Sequence, residues 1–182
     1  MNQENRKIYI LLTRFPGAGS RIIELLTRFH YTHASLGLGE DLNTFYSFVC
    51  KGFIVEKLTR YVKSDREPFP CQLYELEVSE KVYEKVRNLL FRYTKHQRDY
   101  RYSRLGIALS LLHIPYKRKN AYFCSHFVAD VLEQGNAVDL KKDSAGYLPG
   151  DLRKLPGLKL HFQGNLLGML RHLGITACAA AG

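Results

Sequence analysis

The chain has 182 residues, 46% of them hydrophobic and 12% aromatic, with 27 basic against 17 acidic side chains and a formal charge of +10. That length and apolar content fit one domain with a sizeable core and exclude an intrinsically disordered chain, and no apolar run is long enough to span a bilayer. The basic residues are dispersed through 57–66, 81–104, 117–119 and 141–159 without a basic–aromatic RNA motif, which describes a solvated surface and no specific nucleic-acid site.

In chain order, Ile8, Ile10, Leu11 and Leu12 make an almost continuous apolar run and predict a buried strand over 7–13. Pro16, Gly17 and Gly19 turn the chain, and Ser20 caps a helix over 20–29 with Ile22, Ile23, Leu25, Leu26 and Phe29 on its apolar face. Over 32–38 the residues alternate. Ala34, Leu36 and Leu38 point one way and His33, Ser35 and Gly37 the other, the pattern of a half-buried strand with open space above its small side chains. Further strands are expected at 44–49, 53–56 and 72–78, with turns at 40–43 and at Lys51-Gly52.

Ser79 caps an amphipathic helix carrying Val82, Val86, Leu89, Leu90 and Tyr93, and 102–112 is expected as a second, largely buried helix. A third covers 122–134, with Phe127, Val128, Val131 and Leu132 facing inward and Gly135 stopping it. A helix start at 148–151, a strand at 158–162 and a short helix at 165–173 complete a single domain over 1–175, followed by a flexible small-residue tail at 176–182. Strands first, helices next and a mixed end predict an α+β fold, an antiparallel sheet packed against helices.

Four cysteines, Cys50, Cys71, Cys124 and Cys178, form no CxxC pair, which argues against a zinc ribbon. The polar start over 1–7 lacks the apolar segment of a secretory leader, so a cytoplasmic address and reduced thiols are expected. Cys124 opens the helix at 125–134, where the macrodipole and the free N–H groups stabilise a thiolate and could receive an oxyanion. Its alternative role is that of a small packing residue. His33 faces only small side chains and titrates near neutrality, so it can take a thiol proton; alternatively it is an imidazole hydrogen-bonded at a strand end. His126 follows Cys124 by two positions and so points elsewhere, to the surface or to an outer shell of the site. No histidine has a partner at ligand spacing, so neither a metal nor another cofactor is expected. The loop at 16–20 lacks the lysine and spacing of a phosphate-binding loop and is a turn.

Taken together, Tyr31-Thr32-His33-Ala34-Ser35-Leu36-Gly37-Leu38, Tyr46-Ser47-Phe48, the Gly52-Phe53 turn and Tyr122-Phe123-Cys124-Ser125-His126-Phe127-Val128 resemble the permuted NlpC/P60 cysteine peptidases. Within that papain-like superfamily they are most similar to the YiiX/YaeF-like amidases. The resemblance extends over about 8–155, including the helix before the histidine strand and Tyr147-Leu148-Pro149-Gly150-Asp151-Leu152 after the cysteine helix. It implies a circularly permuted papain-like fold in which Cys124 attacks a carbonyl and His33 acts as base and then as acid.

By register, the third residue that orients the imidazole falls at Ser47, where the family carries an acidic or amide side chain. Glu56 is the substitute if its short strand folds back beside His33. Tyr46, Glu56, Tyr122 and Ser125 are the residues expected to line the substrate site. The implied activity is hydrolysis of amide bonds, or alternatively ester or thioester bonds, in small peptides, cell-wall-derived fragments or acylated amines, through an acyl-cysteine and without a cofactor. The departure at Ser47 keeps a second class open, a catalytically weak or inactive relative that binds a peptide or acyl ligand in the same cleft. A nucleic-acid-binding module rests on net charge alone, and the sequence leaves the oligomeric state open.

Overall fold

Ile8, Ile10 and Leu12 lie on one face of strand β1 (Arg6–Thr13) and Tyr9 and Leu11 on the other, and all five are buried. A strand covered on both faces belongs at the centre of a sheet. β1 does: it pairs antiparallel with β2 (His33–Leu38) on one side and β5 (Pro70–Val78) on the other. β3 (Thr44–Val49), β4 (Gly52–Lys57) and β8 (Leu158–Asn165) extend it to six strands in the order β4-β3-β2-β1-β5-β8, every neighbouring pair antiparallel. The computed structural model describes residues 5–14, 29–62 and 69–175; apart from Phe29, the expected helix at 20–29 lies outside them, as do the turn before it and the expected tail at 176–182.

Two helices cover one face of the sheet. α2 (Glu80–Lys95) and α4 (Cys124–Gln134) pack their apolar sides onto Ile8, Ile10, Leu36, Phe48 and Phe53. Phe127, Val128, Val131 and Leu132 of α4 are fully buried there. Each such burial contributes about 1.5–3 kcal/mol, which seats the helix firmly against β2 and β3. On the opposite face α6 (Leu166–His172) lays Leu166, Met169 and Leu170 over Tyr9, Leu11, Phe45, Cys71 and Leu73. The shorter elements are α1 (Thr59–Val62), α3 (Arg104–Leu111), α5 (Pro149–Leu152) and a parallel pair of two-residue strands, β6 (Arg101–Tyr102) and β7 (Ala121–Tyr122). The chain is therefore an α+β protein with an antiparallel sheet and helices.

Four expectations change. β2 is buried along its whole length, on both faces. The space above its small residues is filled from β3: a Cβ on Gly37 would lie 2.7 Å from Cε1 of Phe45, so glycine is what lets that ring cross the strand. Helix α3 is not largely buried; only Gly106 and Ser110 face inward, while Leu105, Leu112 and Ile114 on and just after the helix stay exposed. Gly135 does not supply the left-handed stop of α4, because its φ is −74° and Asn136, at 61°, takes that conformation. Position 135 needs glycine for space, since a Cβ there would meet Cγ2 of Val86 at 2.4 Å. Ser79 occupies the N-cap position of α2 but makes no side-chain capping bond.

Candidate active site

α4 opens at Cys124 behind Phe123, whose backbone is extended (φ −111°, ψ 168°) and whose side chain makes no cap. The first-turn N–H groups are thus left without a side-chain acceptor at the point where the sulfur stands. Packing of α4 against β2 brings the thiol to the imidazole of His33, and the two interact directly. Both are enclosed, with Cys124 3% and His33 7% exposed.

Burial opposes ionisation of the Cys124 thiol. The hydrogen bond and positive charge of His33, together with the N–H groups of Ala34 and Ser125, outweigh it and hold the thiol below its ordinary value. Burial likewise opposes protonation of His33, but the hydrogen bonds and negative charges of Cys124 and Glu56 win and raise the imidazole well above neutrality. The two shifts have one cause. Each group favours the charged form of the other.

Glu56 reaches this site by register. It stands opposite Phe45 in β4, Phe45 stands opposite Gly37 in β2, and alternation puts all three on the face that carries His33. Its Oε1 lies 3.8 Å from His33 Nε2, and Tyr61 in α1 donates its hydroxyl to Oε2 at 3.0 Å. Burial pushes the Glu56 carboxyl up; the imidazolium, the Tyr61 hydroxyl and the neighbouring Ser35 outweigh that and bring it below its usual range. The same neighbourhood, burial first and the carboxylate second, pushes the Tyr61 phenol up. A chain of groups therefore runs Cys124, His33, Glu56, Tyr61.

Ser47 stands elsewhere. Its hydroxyl donates to the carbonyl of Ala34 at 2.6 Å, tying β3 to β2, so it is too short and already engaged to hold the imidazole. Glu56, the substitute, is the side chain that faces His33, and it is buried beneath the imidazole and not on a cleft wall. Tyr46 stacks on Phe53 at 6.4 Å and senses Asp41 and Lys57, toward the far end of β2 from His33. Tyr122 belongs to an aromatic cluster with Phe48, Tyr93 and Tyr100. Ser125 donates its hydroxyl to the Tyr147 carbonyl at 2.8 Å and offers the sulfur only its N–H.

His126 is not at the surface. It is 2% exposed between the rings of Tyr122 and Phe123, and burial pushes its imidazole down to about 4. Tyr61 was missed by sequence reasoning because it lies in the basic stretch 57–66, taken as solvated surface; the available signal was an aromatic hydroxyl five residues after Glu56. Among the described residues no three His, Cys, Asp or Glu side chains gather as a metal site, and no helix is long and apolar enough to cross a membrane. No protein-family model matches the chain, and no curated protein matches it.

Proposed function

We propose that the protein is a cysteine hydrolase, a peptidase or amidase of the circularly permuted papain-like NlpC/P60 type and of its YiiX/YaeF-like group. One observation carries this: a helix-opening thiol, drawn below its ordinary value, in direct contact with a buried imidazole that a carboxylate backs. The order of the elements supports the permuted arrangement, since the histidine strand β2 precedes the cysteine helix α4.

In the proposed reaction the Cys124 thiolate attacks the amide carbonyl carbon, and first-turn N–H groups of α4 receive the developing oxyanion. Collapse breaks the C–N bond as the His33 imidazolium passes its proton to the leaving amine. Neutral His33 then takes a proton from water, whose oxygen attacks the thioester and releases the acid and the thiolate. Glu56 steadies the imidazolium, and Tyr61 holds Glu56. The substrates are small peptides, cell-wall-derived fragments or acylated amines. The near-complete enclosure of Cys124 and His33 favours a second function, a weak or inactive relative that binds a peptide or acyl ligand.

Mass spectrometry of the intact protein after exposure to a library of electrophilic acyl donors separates them. A hydrolase gives an acyl adduct on Cys124 that is absent from Cys124→Ala. A ligand retained without any adduct supports the binder and overturns the enzyme.

A further inference from the structure

A cleft of about 560 Å³ opens beside the cysteine helix. Its floor is the β6–β7 pair, in which Arg101 stands opposite Ala121 and Tyr102 opposite Tyr122, two residues before Cys124. Its walls are the first turn of α3 and the segment 116–120. Tyr102 lines the cleft and pairs with Tyr122, whose carbonyl also accepts the Ser103 N–H at 2.9 Å, so the cleft ends beside the strand that leads directly into Cys124.

The charge lining it is one-sided. Arg101, Arg104, Arg118 and Lys119 face Asp99 as the single acid, and Asp99 sits 3.5 Å from Nδ1 of His96. Among the described residues none of the four cations is in an ion pair with a carboxylate, whereas Lys117, in the same segment, is held by Asp143 at 3.1 Å. The positive end of the α3 dipole adds to them, because Ser103, Arg104 and Leu105 line the same space. Three guanidinium groups, each able to make paired N–H bonds to one oxyanion, favour phosphate over a single carboxylate.

Resting on Cys124 as the nucleophile, we propose that this cleft binds a phosphate group of the substrate and so sets its carbonyl against the sulfur. The phosphate is carried by a soluble phosphoryl compound or by a lipid headgroup, and Arg101, Arg104, Arg118 and Lys119 recognise it in either case.

The test compares two alkylating probes with one warhead, N-chloroacetyl-ethanolamine and its O-phosphate ester. In both, the Cys124 sulfur forms a C–S bond and displaces chloride. The wild-type protein at low ionic strength is expected to take the phosphate probe about tenfold faster, the low end of electrostatic steering. In Arg101→Gln/Arg104→Gln/Arg118→Gln the ratio falls to about one with the neutral probe's rate unchanged. A ratio of about one in the wild type, or one that survives in the variant, overturns the inference.

Inorganic phosphate gives a readout independent of the thiol. It raises the Tm of Cys124→Ala and leaves that of the same protein carrying the three glutamines unmoved; no shift in Cys124→Ala overturns the phosphate site. Failure of both probes to label Cys124, with the phosphate shift retained, overturns the nucleophile and leaves the phosphate site supported. Sedimentation with phosphatidylglycerol vesicles in preference to phosphatidylcholine, lost in the triple variant, supports the cleft with a lipid headgroup in it; the tenfold ratio without vesicle preference supports it with a soluble phosphate.

Discussion

Replacing Glu56 with glutamine tests the electrostatic core of the site with almost no change of shape. The carboxylate Oε1 lies 3.8 Å from His33 Nε2 in a buried environment. At about that separation, and at an effective dielectric of about 20, a pair of unit charges interacts by about 4 kcal/mol. One pKa unit corresponds to about 1.4 kcal/mol, so about three units is the ceiling for the effect on the imidazole. The polar glutamine amide replaces part of the lost charge stabilisation, which leaves an expected change of about one to two units.

The sign follows from the charge removed. Without the carboxylate the imidazolium loses stabilisation, so the upper of the two macroscopic pKa values of the Cys124–His33 pair falls. Histidine NMR across the pH range, on wild type and Glu56→Gln, reads this directly for the His33 ring. A rate of amide turnover that depends on imidazolium should lose its alkaline limb at correspondingly lower pH. An unmoved His33 titration in a variant with wild-type Tm would refute the role given to Glu56.

Other consequences are more local. Ser47→Ala removes the buried hydroxyl bond to Ala34 and should cost about 1–2 kcal/mol in denaturant unfolding while leaving the His33 titration in place; a shift as large as that of Glu56→Gln would make Ser47 the orienting residue. Gly135→Ala forces a methyl group against Val86 and should destabilise the packing of α4 on α2 by about 1–3 kcal/mol, measured the same way, with unchanged stability contradicting the packing described. In alkylation at mildly acidic pH, Cys124 should react before Cys71, whose burial pushes its thiol up to about 12. Equal rates for the two would count against an activated Cys124.

Much of this architecture is legible in the sequence, because periodicity reports burial directly. The run of apolar residues in β1 announces a strand with two covered faces, and the spacing of Phe127, Val128, Val131 and Leu132 fixes the inward side of α4. The helix start that carries Cys124 and the strand that carries His33 are both local signals, while their pairing was an expectation drawn from the family resemblance. What was not legible depends on contacts across the chain. Choosing Glu56 over Ser47 required the register of three strands and the knowledge that a serine hydroxyl would turn to Ala34. Alternation in β2 suggested an open face, yet nothing local says that Phe45 would lie over Gly37. His126 looked displaced from the site because helical spacing gives direction but not depth, and the rings of Tyr122 and Phe123 enclose it. α3 carries apolar residues all round, so its pattern could not reveal that Gly106 and Ser110 are the inward pair.

A thiolate-absorbance titration of the wild-type protein, with that of Cys124→Ser subtracted, isolates the ionisation of the one sulfur on which the proposed chemistry depends. The expected result is a midpoint below the ordinary cysteine value of about 8.5. A midpoint at or above that value, the behaviour of a thiol buried without a partner, would contradict an activated Cys124–His33 pair.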